Sequence, residues 1–426
     1  MTSAATTPAG AARRRAPIWI ILFTILLDSL GIGILVPIVP QLLGNPSSPM
    51  YLLKGAQSAR LGYVLLGFLV AVYPVMQFFA TPVLGQLSDR YGRRRILAIS
   101  LAGTSLGYAL FAIGIVFGSI PLLFAARALD GITGGNMSVA QAAIADVTPP
   151  HERTRTFGLI GAVFGVGFIL GPFLGGILAD STVVSWFTAA TPFWLAALLA
   201  AINTVSVVVQ LEETNRHIRR APLDLARSVN NIARAYALPA LRPMFLTIFL
   251  FNAGFGFFIS FFGVFLIDRF GFTQTSIGNF FAYVGICMIF TQLVTTRRVA
   301  ARFEEPQVLR VSLLGVSVVM ASYALTPAPA WIYLIAPFSS TFNGLSMANM
   351  GGLLSRSVPP DVQGEMLGIG SSIQALAQAL PPLAAGFVAA SFTPTAPVFA
   401  AALTMFLAWG VFSTRYKPVA AAAFRR

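Results

Sequence analysis

The stretch ILFTILLDSLGIGILVPIVPQLL runs from Ile21 to Leu43 and holds one charged residue, Asp28. About 20 apolar residues in helical conformation cross the ~30 Å hydrocarbon core of a bilayer. Asp28 lies about 16 Å of helical rise beyond Pro17, near the middle of such a core. Acids at that depth are costly, and most of them serve an ion or substrate pathway. The bland alternative is a carboxyl that only hydrogen-bonds a neighbouring helix.

Similar stretches recur along all 426 residues, of which 56% are hydrophobic and 10% charged. Mean hydropathy is +0.79. A soluble domain of this size needs more charge to cover its surface. One apolar run is compatible with a core helix, but a dozen in series specify an all-α membrane protein. The twelve transmembrane helices are read at 17–42, 61–86, 95–117, 121–147, 156–180, 190–211, 243–267, 275–297, 307–326, 330–357, 366–390 and 395–414.

The polar segment Glu212 to Arg242 divides these spans into two pseudo-symmetric six-helix bundles, 17–211 and 243–414. Residues 1–16 and 415–426 are tails, and 212–242 is a central loop, part of which fits an amphipathic surface helix. Of the 28 Lys and Arg, 24 fall in the tails, the central loop and the loops on that same side. Lys54, Arg60 and Arg269 lie on the other side, and Arg127 lies within a span. The positive-inside rule then makes both tails and the central loop cytoplasmic. The net charge of +14 is a topology signal and an attraction to anionic lipid. No basic patch with stacking aromatics suggests nucleic acid. The first residues read as a tail rather than a cleaved leader.

Cys287, the single cysteine, allows no internal disulfide and no thiol metal site. There is no phosphate-cradling G-x-x-x-x-G-K-[ST] loop, no metal-ligand cluster and no catalytic constellation. The expectation is a protein that is not an enzyme and uses no cofactor or metal.

A shift of 210 residues lays Gly134, Met137, Pro149, Pro150, Gly158, Pro172 and Gly176 on Gly344, Met347, Pro359, Pro360, Gly368, Pro382 and Gly386. Spans four and five thus repeat as spans ten and eleven. Two like-oriented halves, related by an axis along the membrane normal, are the plan of a secondary transporter with its site between them.

Three motifs carry a resemblance. GQLSDRYGRRR, Gly85 to Arg95, resembles the G-x-L-a-D-R-x-G-R-R signature of the major facilitator superfamily at Gly85, Leu87, Asp89, Arg90, Gly92, Arg93 and Arg94. The resemblance implies a conformational latch, with Asp89 facing the positive end of span eleven near Met366. The counterpart loop is degraded, since Asp89 shifts onto Val299 and Gly92 onto Arg302. RALDGITGGN, Arg127 to Asn136, is similar to the R-x-x-x-G motif of proton-coupled exporters. There the arginine lies near the proton site, and Asp130 at i+3 is placed to pair with it. An arginine this close to Pro121 also has the option of snorkelling to the interface. GAVFGVGFILGPFLGG, Gly161 to Gly176, resembles the end of the antiporter motif at Gly167, Gly171, Pro172, Gly175 and Gly176, with Gly158 one residue out of register. Small residues there also permit close helix packing.

The resemblance covers nearly the entire chain and is nearest to drug–proton antiporters of the tetracycline-exporter type. It departs at Gly107, Val316 and Met288, where tetracycline exporters carry acids or a histidine. His151 and His217 both fall in loops. The expected substrate is therefore a small amphiphilic or lipophilic compound other than tetracycline.

Among the charges deep in the membrane, Asp28 and Asp130 are the candidate proton carriers and Arg127 their modulator. A carboxylic acid in a dry site holds a proton until a cation, water or polar group changes the balance. Residues 245–303 hold 15 of the 36 phenylalanines. On span seven their spacing covers every face, so many should face lipid while Phe255, with Asn252, lines a cavity. Asn136, Gln141, Asn343, Gln374 and Gln378 are further cavity candidates. The expectation is proton-coupled export by alternating access, from a functional monomer in a bacterial inner membrane. Its rivals are a symporter or facilitator for a polar metabolite, and a non-transporting receptor or scaffold.

Overall fold

A computed structural model describes residues 18–53, 59–149, 152–215, 224, 226–358 and 363–417. The predicted tail 1–16, the other tail from 418 onward, residues 216–223 of the central loop, His151 and His217 lie outside the described residues. All regular structure among the described residues is helical. In hydrocarbon this follows from the backbone, because an isolated helix satisfies its own N–H and C=O groups.

The chain runs α1 (Ile18–Val39), α2 (Ala59–Tyr91), α3 (Arg93–Val116), α4 (Ile120–Thr133), α5 (Met137–Val147), α6 (Arg153–Leu178) and α7 (Thr191–Gln210). The short α8 (Arg227–Ala237) lies in the predicted central loop. Then follow α9 (Arg242–Phe270), α10 (Gln274–Phe290), α11 (Thr296–Ala300), α12 (Glu305–Ala324), α13 (Pro329–Arg356), α14 (Gln363–Ser391) and α15 (Ala396–Arg415). Proline occupies the first turn of α4, α7, α9, α12, α13 and α15. Its missing N–H costs nothing there, where no intrahelical partner exists. Gly271, at φ 65°, closes α9 in the left-handed conformation that glycine adopts freely.

Ten helical segments among the described residues are long and apolar enough to cross a membrane. Two of the expected spans are not among them, and they are the pair related by the 210-residue shift. Span 121–147 is broken, because a 3-10 turn at Gly134–Asn136 separates α4 from α5. Span 330–357 is one helix, α13, but Ser339, Ser340, Asn343 and Ser346 make its buried face polar.

The glycines of α6 explain its packing. A methyl on Gly171 would lie 2.6 Å from the Leu30 carbonyl oxygen, and one on Gly175 2.7 Å from that of Ile34. Only glycine lets α6 approach α1 this closely. Gly176 meets Gly278 of α10, and Gly386 of α14 meets Gly67 of α2. The 210-residue shift lays Gly176 on Gly386 and Gly278 on Phe68, the neighbour of Gly67. Leu106, Leu198, Val205, Val318 and Leu403 point outward and exposed, as lipid-facing residues do.

α9 departs from expectation. Phe251, Phe258, Phe261 and Phe262 are buried, and Phe249, Phe255 and Phe257 are half-buried, so none of the seven faces fully outward. The helix is central, packed on α14, α15 and α1, and its rings fill the core with Phe265, Phe280, Phe281 and Tyr323.

Candidate functional site

A cavity of about 220 Å³ lies between elements from the two ends of the chain. Ile32 and Val36 of α1, Tyr73 of α2 and Arg127 of α4 line it on one side. Phe255 of α9, Met347 of α13, and Gln374 and Gln378 of α14 line it on the other. Its walls are mostly apolar, with a few amides and one guanidinium. Of the residues expected at a cavity, Asn252, Phe255, Gln374 and Gln378 line it. Asn252 donates its amide hydrogen to Ile248 O at 2.8 Å. Gln141 is instead exposed on α5, while Asn136 and Asn343 are buried away from the cavity wall. Sequence reasoning missed Tyr73, Phe164, Phe168 and Met347. For Tyr73 a signal existed, a hydroxyl in mid-span next to Pro74.

Behind the Tyr73 and Arg127 wall sits a buried charge cluster. Arg127, Asp130 and Asp28 are each no more than 6% exposed. Arg127 Nη1 donates to Asp130 Oδ2 at 3.0 Å, so the arginine does not snorkel. Its guanidinium also stacks 4.5 Å from the Tyr73 ring centre, a cation–π contact that helps hold a charge in a dry site. Gln77 Nε2 donates to the Tyr73 hydroxyl at 3.1 Å and to Gly134 O at 2.9 Å. Gly107 packs against Asp130. Asp28 is one helical turn from Ile32 in the cavity wall. Its Oδ2 is buried and has no hydrogen-bond partner.

At one end of the bundle α1 and α6 are tied to the segments beside α9 and α10. The π turn Pro40–Gly44, which extends α1, meets α9 there: Gln41 Nε2 donates to Phe272 O at 3.3 Å. Thr275 Oγ1 of α10 donates to Asp180 Oδ2 at 2.5 Å. A groove of about 500 Å³ at this end, beside Asn45, Tyr63 and Asp268, holds none of the buried charges.

The opposite end carries the GQLSDRYGRRR loop. Gly92 breaks α2 from α3 at φ 95°, a conformation that disfavours any side chain. Arg93 is only 9% exposed. It pairs with Asp89 at 2.6 Å and with Asp146 of α5 at 3.2 Å. The Glu213 carboxylate accepts from the backbone N–H of Arg93 at 2.8 Å and of Arg94 at 3.2 Å. An acid at a helix N-terminus satisfies orphan donors and complements the dipole. Arg90 lies over the Tyr91 ring and Gly85 faces Ser138. The ion pair of Asp89 is thus with Arg93. Residues 359–362, just before α14, lie outside the described residues.

Comparisons with known proteins bear on this arrangement. The Major Facilitator Superfamily profile matches residues 21–382 and 244–423. Tetracycline resistance protein, class H, of Pasteurella multocida is 32% identical over 375 residues, 87% of this chain and 88% of that one. Multidrug resistance protein 1 of Bacillus subtilis is 27% identical over 79% of each chain. A crystal structure of a D-xylose-proton symporter shares the fold, with a TM-score of 0.76 at 17% identity over 95% of this chain and 97% of that one. The chain is a multi-pass membrane transporter, not an enzyme, and it belongs to the major facilitator superfamily.

Proposed function

We propose that the chain exports a small amphiphilic or lipophilic compound in exchange for protons. The observation that carries this reading is a buried Asp28 and Arg127–Asp130 cluster one turn behind the wall of an apolar cavity. A cavity with mostly apolar walls suits a lipophilic guest, and ionisable groups beside it can exchange a proton as the guest arrives. The likeness to a tetracycline resistance protein and a multidrug resistance protein favours export over import. The residues Gly107, Val316 and Met288 favour a compound other than tetracycline.

In this reading twelve spans form two six-helix bundles, 17–211 and 243–414, with α4 and α5 together making one broken span and α13 making an unbroken one. The bundles rock about the cavity, as transporters with repeated halves do. The protein works as a monomer in a bacterial inner membrane, with its tails and the Arg93 end cytoplasmic. The Asp89 and Arg93 network stabilises the closed state of that end.

The test uses the full chain in liposomes with an imposed pH gradient and a panel of lipophilic probes. The gradient should drive uptake of at least one probe, and Asp28→Asn should abolish that drive. Equal transport without a gradient, unchanged by Asp28→Asn, would sink proton exchange.

A further inference from the structure

The groove of about 500 Å³ beside Asn45 and Asp268 has no part in the proposed exchange, yet it is larger than the central cavity. Its walls come from both ends of the chain. Gln41, Asn45 and Ser47 lie in the segment after α1, and Tyr63 lies on α2. Facing them are Asp268 of α9 and Gln274 of α10.

The polar groups of the groove fall into two sets. One is spent on the walls themselves. Asn45 Nδ2 donates to Gln41 Oε1 at 2.9 Å, and the Ser47 N–H donates to Asn45 Oδ1 at 3.1 Å. Gln41 Nε2 then reaches Phe272 O on the other wall. The second set is free. Asp268 is exposed, Tyr63 and Gln274 are half-buried, and none of these three side chains makes a hydrogen bond or an ion pair among the described residues. Among those residues no Lys or Arg lines the groove. The adjacent Arg269 is engaged elsewhere, with Nε on Thr326 O at 3.2 Å and its guanidinium over the Phe270 ring.

This chemistry selects a guest. The groove offers one unneutralised carboxylate, the Tyr63 ring, and apolar surface from Pro46, Ile267 and Phe272. An anion would meet Asp268 with like charge. A bare calcium-like ion needs about six to eight oxygens close around it, and a groove of this width with one carboxylate does not gather them. An organic ammonium ion fits. Its charge meets Asp268, an aromatic face attracts it, and its carbon body covers the apolar wall.

We infer that this groove is a second binding site, for a small organic cation, and that the bound cation blocks transport by holding the two walls together. A ligand shifts a conformational equilibrium toward the state it binds better. The walls are joined by the Gln41–Phe272 and Asp180–Thr275 bonds. Any movement that parts them takes Tyr63 away from Asp268 and dismantles the site. The block rests on the proposed rocking of two bundles, whereas the binding does not.

The probe is benzyltrimethylammonium, a permanent cation that carries no proton and leaves a pH gradient intact. Equilibrium dialysis measures its binding to the full chain in lipid nanodiscs. Asp268→Asn should weaken binding by about fivefold, the upper range for a partly exposed ion pair, and Asp268→Glu should restore most of it. Phenylacetate should not compete, and Phe255→Ala in the central cavity should leave this binding unchanged. No saturable binding, equal competition by phenylacetate, or dependence on Phe255 instead of Asp268 overturns the site. In liposomes the cation should inhibit gradient-driven uptake of a lipophilic probe, and Asp268→Asn should transport normally while resisting the same concentration. Binding that depends on Asp268 but leaves transport undiminished overturns the block. A chain that ignores pH gradients, yet binds the cation through Asp268, upholds the site and refutes proton-coupled export.

Discussion

The α4–α5 pair and α13 occupy the same place in the two repeats, yet they hold opposite chemistry. Arg127, Asp130 and Asn136 shift onto Pro337, Ser340 and Ser346. The first set is charged or orphaned. The second set is neutral, with Ser340 Oγ donating to Val284 O at 3.1 Å and Ser346 Oγ bonded to Ser312 Oγ at 2.9 Å. The surroundings differ in the same sense. Tyr73, Gln77 and Tyr108 border the charges of the first part, whereas Phe258, Phe262, Phe265, Phe280 and Phe281 pack around Tyr323 in the second. The repeat shares its close-packing glycines but not its titratable groups. In the proposed export cycle, the first half would carry the change of charge and the second would be the apolar body it moves against.

The most direct way to break this comparison is to strand the buried charge. Asp130→Leu leaves Arg127 unpaired in a dry site, which costs about 3–5 kcal/mol. Thermal unfolding in detergent should register it as a large loss. The double variant Arg127→Met with Asp130→Leu should recover most of that loss, since an apolar pair of similar volume replaces a buried ion pair at little cost. It should still fail to transport. If single and double variants are equally unstable, the pair is not what holds α4 in place.

Phe262→Ala probes the other half. The ring is 0% exposed, 4.3 Å from Phe258 and 5.0 Å from Tyr323, centre to centre. Burial from lipid supplies little driving force, so the cost is chiefly that of the cavity, roughly 2–3 kcal/mol. The unfolding temperature should fall while the pH dependence of transport stays where it was. A shifted pH profile would show that the aromatic core shares in the titration, and the division between halves would not hold.

Much of the architecture was legible because a bilayer enforces one rule, helices of a given length and apolarity. The ion pair of Arg127 with Asp130 was legible from i+3 spacing alone. The break at Gly134–Asn136 was not, because two glycines in an apolar run read equally as close packing. Phe164 and Phe168 were not legible as cavity residues, since an apolar side chain looks the same whether it faces lipid or a hollow. Glu213 was missed for another reason. It caps α3 across a separation of 120 residues, and no local pattern reports such a contact.

Asp180 offers the finest test, because it is the partnered counterpart of the orphaned Asp28. Its Oδ1 accepts from the Thr182 backbone at 2.9 Å and from the Thr182 hydroxyl at 2.7 Å, and its Oδ2 accepts from Thr275 at 2.5 Å. Burial pushes the carboxyl up, but hydrogen bonds from Thr275 and Thr182 outweigh it and hold the group below its ordinary value. A depressed carboxyl stabilises the fold above its unfolded value of about 3.9, and that contribution is lost as pH falls through the folded value. Asp180→Asn should cost on the order of 0.5–1.5 kcal/mol at neutral pH. The gap to the unmodified chain should narrow as unfolding is followed from pH 5 toward pH 3. Because Thr275 belongs to α10 and Asp180 follows α6, the same change should loosen the end where these two helices meet at Gly176 and Gly278. A gap that stays constant with pH would assign the effect to packing at that contact rather than to the charge.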